Sequence, residues 1–120
     1  MYVKTFRYRV LPGQLQRFRE VQRRVAELVE QQLGQDAIYL QSTRDLHQWL
    51  EIHIYADEQA WQRISDRMNA MPEIEKLWRE FRLTLDPGFP STIESFHQHQ
   101  WLTPPPAGDD AEQDVPGEPA

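Results

Sequence analysis

At 120 residues, 39% hydrophobic and 11% aromatic, the chain is sized for one domain with a single modest core. The net charge of −6 gathers at one end: residues 103–120 hold five acids and no Lys or Arg. The rest carries 14 acids against 13 bases, which argues against a nucleic-acid partner held by a basic surface. The absence of cysteine excludes a disulfide scaffold, a thiolate nucleophile and a Cys-ligated metal, and no window approaches the apolar length of a membrane span or a signal-peptide core, so the expectation is a soluble cytoplasmic protein.

Tyr2 to Val10 alternates Tyr2, Lys4, Phe6, Tyr8 and Val10 with Val3, Thr5, Arg7 and Arg9, and predicts a strand stopped by Leu11-Pro12-Gly13. From Gln14 to Leu33 the apolar positions Leu15, Phe18, Val21, Val25, Leu28 and Val29 recur at helical spacing, and Gly34 is placed to end the helix. Arg17, Arg19, Arg23 and Arg24 alternate with Glu20, Glu27 and Glu30, the pattern of a solvated face rather than a nucleic-acid surface. A short strand is expected over Asp36 to Ser42, joined by a polar turn to a central strand, Gln48 to Tyr55. Asp57 and Glu58 suit a helix start, Pro72 suits the first turn of a new helix, and a break is therefore expected near Ala70 and Met71. After a loop over Asp86 to Pro90, Ser91 to Gln98 predicts a last strand. Residues 103–120 are predicted to be a disordered acidic, Pro-rich tail, leaving a folded unit over residues 1–102.

Strand, helix, strand, strand, helix, strand is the ferredoxin-like α+β order, with an antiparallel sheet and both helices on one face. In the central strand, Leu50, Ile52 and Ile54 share one side and Trp49, Glu51, His53 and Tyr55 the other. The aliphatic set is expected to face the helices. The opposite face would then present Arg7, Arg9, Tyr39, Gln41, Trp49, Glu51, His53 and Tyr55. So much aromatic area in water predicts that two copies pair face to face.

Any chemistry is expected on that second face. His53 is the candidate proton acceptor, since a neutral imidazole can take a phenolic proton. Tyr39, Trp49 and Tyr55 are candidate walls for an aromatic ligand, Glu51 a polar contact to it, and Arg7 or Arg9 the group that holds an anion. The alternative is a packed, hydrogen-bonded structural histidine, with Arg7 and Arg9 merely paired to Glu51 or Glu94. His53, His97 and His99 lack the fixed spacing of a metal site, and no phosphate loop, nucleophile elbow or dinucleotide fingerprint occurs, so neither metal nor cofactor is expected.

Several stretches resemble the dimeric α+β barrel proteins, and within them the antibiotic biosynthesis monooxygenase-like family. They are Phe6 to Gly13, the central strand Trp49 to Tyr55, Asp57-Glu58-Gln59-Ala60-Trp61, and Met71-Pro72. The resemblance implies a homodimeric α+β barrel, and includes cofactor-independent oxygenases acting on phenols or quinols as well as haem-degrading enzymes. The haem reading is disfavoured, because no His stands between Asp57 and Leu85, where the haem-degrading relatives carry a proximal one. What remains is a monooxygenase-like protein for a small aromatic substrate, or a non-catalytic dimeric ligand-binding or structural protein of the same fold.

Overall fold

The computed structural model describes residues 1–35 and 37–99. Along the chain run β1 (Tyr2–Arg9), α1 (Leu15–Leu33), β2 (Ala37–Gln41), β3 (Gln48–Tyr55), α2 (Glu58–Asn69), α3 (Pro72–Leu83) and β4 (Thr92–His97). The strands form one antiparallel sheet in the order β2-β3-β1-β4. This is the ferredoxin-like α+β fold, its second helix split in two. The acidic tail predicted over residues 103–120 lies outside the described residues, as does Asp36, the expected start of β2.

Local chemistry accounts for the boundaries. Gly34 adopts φ 67° and its N–H closes α1 onto the Glu30 carbonyl at 3.0 Å, a left-handed cap that costs a residue with a Cβ more. Asp57 Oδ1 accepts from the Ala60 N–H at 2.7 Å and caps α2. Pro72 stands in the first turn of α3, where a missing N–H is harmless, and the chain breaks at Ala70 and Met71 as predicted. The arginines of α1 lie on its solvated side: Arg23 bridges Glu20 and Glu27, each at 2.8 Å, and Arg24 reaches Glu80.

The helices cover the face opposite to the one expected. Trp49, Glu51, His53 and Tyr55 point toward the helices, and Leu50, Ile52 and Ile54 point away. Trp49 packs on Phe18 of α1 at 4.9 Å between ring centroids, Tyr8 packs on Phe18 and Phe81, and Tyr2 packs on Trp61 of α2. Aromatic rings, rather than the aliphatic set, fill the space between sheet and helices, and α1 supplies a polar side chain, Gln22, to meet Glu51. The uncovered face is consequently aliphatic, with Ile38, Leu40 and Phe96 exposed and Ile54 44% exposed.

Phe18, Tyr8 and Val10 form one buried cluster and Val21, Val25 and Leu77 a second, both beneath α1. Because Phe18 touches Tyr8, Trp49 and Phe81 together, Phe18→Ala is expected to cost about 3–5 kcal/mol, read as a lower urea midpoint by circular dichroism. A loss under 1 kcal/mol would show that α1 is not anchored there.

Candidate functional site

Pleat and register place the candidate residues. Pairing of β1 with β3 sets Lys4 opposite His53, Phe6 opposite Glu51 and Tyr8 opposite Trp49, and pairing of β2 with β3 sets Tyr39 opposite Glu51. Directly opposed residues share a face, so Tyr39, Trp49, Glu51, His53 and Tyr55 stand together on the helix-covered side with Lys4, Phe6 and Tyr8. Arg7, opposite Leu50, lies exposed on the other face. Arg9 shares Arg7's side of the pleat and is neutralised at the end of β1. Its Nε meets Asp45 Oδ2 at 2.8 Å and its Nη1 meets Asp86 Oδ2 at 3.0 Å. This clamp ties the β2–β3 turn and the loop after α3 to the sheet, and hydrogen bonding from Arg9 holds the Asp45 carboxyl below its ordinary range. The register overturns the expected place of these arginines beside His53 and their pairing with Glu51; Arg9 pairs with Asp45 and Asp86 instead, and Arg7 shares its face with Glu94 without an ion pair between them among the described residues.

At the centre stands Glu51, 6% exposed. Its Oε2 accepts from Tyr8 Oη and, at 2.7 Å, from Gln22 Nε2, while its Oε1 lies 3.0 Å from His53 Nε2. Gln22 Nε2 also donates to Tyr8 Oη at 3.1 Å, so the Tyr8 hydroxyl receives one hydrogen bond and passes its own proton toward Glu51. A buried carboxylate is tolerable only when its lone pairs are met, and here β1, α1 and β3 each supply a donor. Tyr8 and Gln22 were absent from the sequence candidates. Gln22 carried a usable signal: it lies on the apolar stripe of Phe18, Val21 and Val25, where a polar residue needs a buried partner.

The remaining candidates are walls. His53 meets Phe6 edge-on at 5.0 Å and keeps 17% of its side chain exposed. Tyr55 packs on Tyr2 at 6.5 Å. Trp49 Nε1 and His47 Nδ1 are buried without a hydrogen-bond partner among the described residues. Two surface depressions lie elsewhere, one of about 320 Å³ lined by Gly34, Gln35, Ala37, Ile38, Ile52 and Ile54, the other of about 340 Å³ between α2 and α3. Among the described residues no three His, Asp or Glu side chains gather about a point that would hold a metal ion, and no helix is long and apolar enough to cross a membrane.

Burial, reinforced by the charge of Glu51, pushes the ionisation of Tyr8 and Tyr39 well above that of a free phenol. A raised value in the folded state favours the neutral phenol there. The stability this contributes is complete below about pH 10, the unfolded value, and is lost as pH rises beyond it. An alkaline titration followed by phenolate absorbance should leave at least these two of the four tyrosines neutral until the chain unfolds. Smooth titration of all four in the native state would contradict the network.

No curated protein sequence matches the chain. Among solved structures it is similar to a mutant of SnoaB, a cofactor-independent oxygenase from Streptomyces nogalater (20% identity, 84% of this chain and 95% of that one, TM-score 0.65). It is likewise similar to a NIPSNAP family protein from Agrobacterium tumefaciens (14% identity, 83% and 87%, TM-score 0.68) and to a conserved protein from Methanosarcina mazei Go1 (13% identity, 82% and 94%, TM-score 0.67). At these identities the likeness concerns the fold alone. The model of the antibiotic biosynthesis monooxygenase family matches residues 1–67, a span that includes Tyr8, Gln22, Glu51 and His53. With more than half of its length matched, the chain belongs to the antibiotic biosynthesis monooxygenase family.

Proposed function

We propose that the protein is a cofactor-independent oxygenase acting on a small phenol or quinol, with His53 as the proton acceptor. The observation that carries this reading is the 3.0 Å approach of His53 Nε2 to Glu51 Oε1. A carboxylate only accepts, so Nε2 bears the hydrogen and Nδ1 keeps its lone pair, the tautomer of a base. Glu51 then orients His53 rather than touching substrate, and Tyr8 and Gln22 hold Glu51 in turn. Loss of its proton makes a phenol electron-rich enough to pass an electron to dioxygen, and recombination of the two radicals oxygenates the ring. For a simple phenol, phenol plus dioxygen gives quinone plus water. Tyr39, Trp49 and Tyr55 wall the site.

The same face supports a second reading, a non-catalytic binding or structural protein. What favours it is the packing of His53 edge-on against Phe6 and its absence from the lining of both surface depressions. Oxygen consumption with a panel of quinols and phenols separates the two. His53→Gln, whose amide can still donate to Glu51, should lower turnover by about 10²–10⁴-fold while the melting temperature moves little. A loss of several degrees with no uptake in either protein would assign His53 to structure.

We propose further that two copies pair through the uncovered face, closing an α+β barrel, in a reducing cytoplasm that suits a chain without cysteine. The support is the aliphatic area of Ile38, Leu40, Ile54 and Phe96, which a lone protomer would leave in water. Light scattering at micromolar concentration should give twice the 14.3 kDa chain mass. Ile54→Glu, at an already exposed position, should return a folded monomer; a wild-type monomer would remove the barrel.

A further inference from the structure

Removal of a phenolic proton leaves an oxyanion, and neither Arg7 nor Arg9 stands on the face where it would form. Lys4 does. The register sets Lys4 between His53 on one side and Ser95 on the other, so that Ala37, His53, Lys4 and Ser95 form one row across the helix-covered face. Directly opposed side chains of this kind have Cβ atoms about 4.5–5.5 Å apart, within reach of one small ligand atom.

The Lys4 ammonium is positioned but not neutralised. Its Nζ donates to Ser95 Oγ at 3.1 Å and lies 4.5 Å from the centroid of the Trp61 ring. Among the described residues no carboxylate stands within ion-pair distance of it, and Glu58, at the start of α2, is directed at His97 instead, at 3.9 Å. An ammonium has three donor hydrogens, and Ser95 uses one. The surroundings are aromatic: Tyr2 packs on Trp61 at 5.8 Å and on His97 at 5.1 Å, and Phe6 lies against His53 at 5.0 Å. On the β4 side this row is open, since Ser95 is exposed and Ile93, on the same face, is 63% exposed.

We infer that Lys4 is the anion-holding group of the site and that its ligand is an aromatic molecule with an acidic hydroxyl. The inference rests on the proposed reading of His53 as base. The hydroxyl proton passes to His53 Nδ1, the electron pair stays on oxygen, and the oxyanion ion-pairs with Lys4 Nζ while the ring lies against Trp61. A single fixed cation on an aromatic floor favours the phenolate over the phenol and therefore favours the acidic members of the substrate class.

The test uses 4-nitrophenol, which ionises near neutrality with a visible colour change, and the full chain. Bound to the wild-type protein, its ionisation midpoint should fall by about one pH unit, a roughly tenfold preference for the phenolate. Lys4→Met keeps the apolar stem over Trp61 and should abolish the shift, Lys4→Arg should retain most of it, and Arg7→Met should leave it whole. His53, His97, Glu58, Tyr2 and Ser95 also face the ammonium. Glu58→Gln should preserve the shift, which separates the effect of Lys4 from that of this carboxylate. Because oxygen uptake plays no part, His53 can fail as the catalytic base while the shift persists. A wild-type protein that does not bind or shift 4-nitrophenol would overturn the inference. So would a shift unchanged in Lys4→Met, or lost in Arg7→Met. Should Lys4→Met not fold, Lys4→Gln takes its place with the same expectations.

Discussion

A carboxylate with almost no access to water stands at the centre of this fold, and the elements around it are arranged to satisfy it. Uncompensated burial of such a charge is prohibitive, and removal of one partner from a buried polar set costs several times what the intact bond contributes. Glu51 meets this constraint with donors from three elements: Tyr8 of β1, Gln22 of α1 and His53 of its own strand. Each has a further tie. Gln22 lies on the stripe that buries Phe18, Val21 and Val25, so the angle at which α1 crosses the sheet is set by polar and apolar contacts together. His53 is held by Phe6 as well as by Glu51.

That arrangement divides the sheet. Toward the helices it is aromatic and polar, with an imidazole, a carboxylate, phenols and an ammonium in adjoining rows. Away from them it is aliphatic, with Arg7 exposed in its midst and Arg9 bound into its clamp. The division separates the two tasks proposed for the protein, since the face suited to association holds neither His53 nor Glu51. A change made to weaken pairing can therefore leave the site's contacts intact.

Membership of the antibiotic biosynthesis monooxygenase family accounts for the architecture, and the activity has to be argued from the side chains the fold brings together. In the proposed reading the decisive group is the His53 imidazole, 3.0 Å from Glu51. The inferred role of Lys4 complements it, because a base that generates an oxyanion is more effective beside a fixed positive charge.

The sequence by itself determined the order of elements, the break before Pro72, the cap at Asp57, the end of α1 at Gly34 and the salt-bridged exposure of the α1 arginines. Each of these follows from local backbone chemistry or from spacing along one element. It also separated the two sides of the central strand correctly, because alternation along a strand is a local property. Which side meets the helices was decided only in the tertiary structure. Both sets, Leu50, Ile52 and Ile54 as well as Trp49, Glu51, His53 and Tyr55, contain enough apolar surface to be buried, and the choice depended on Phe18, Gln22 and Trp61 arriving from distant helices. The candidate site divided in the same way. His53, Glu51, Trp49, Tyr55 and Tyr39 shared a face because each strand's alternation and the β2–β3 hairpin are short-range. Arg7 and Arg9 were misplaced, and Lys4 and Tyr8 passed over, because the register of β1 against β3 joins residues some forty to fifty positions apart. That register follows from packing, and a one-residue slip in it exchanges Lys4 for a neighbour on the opposite face.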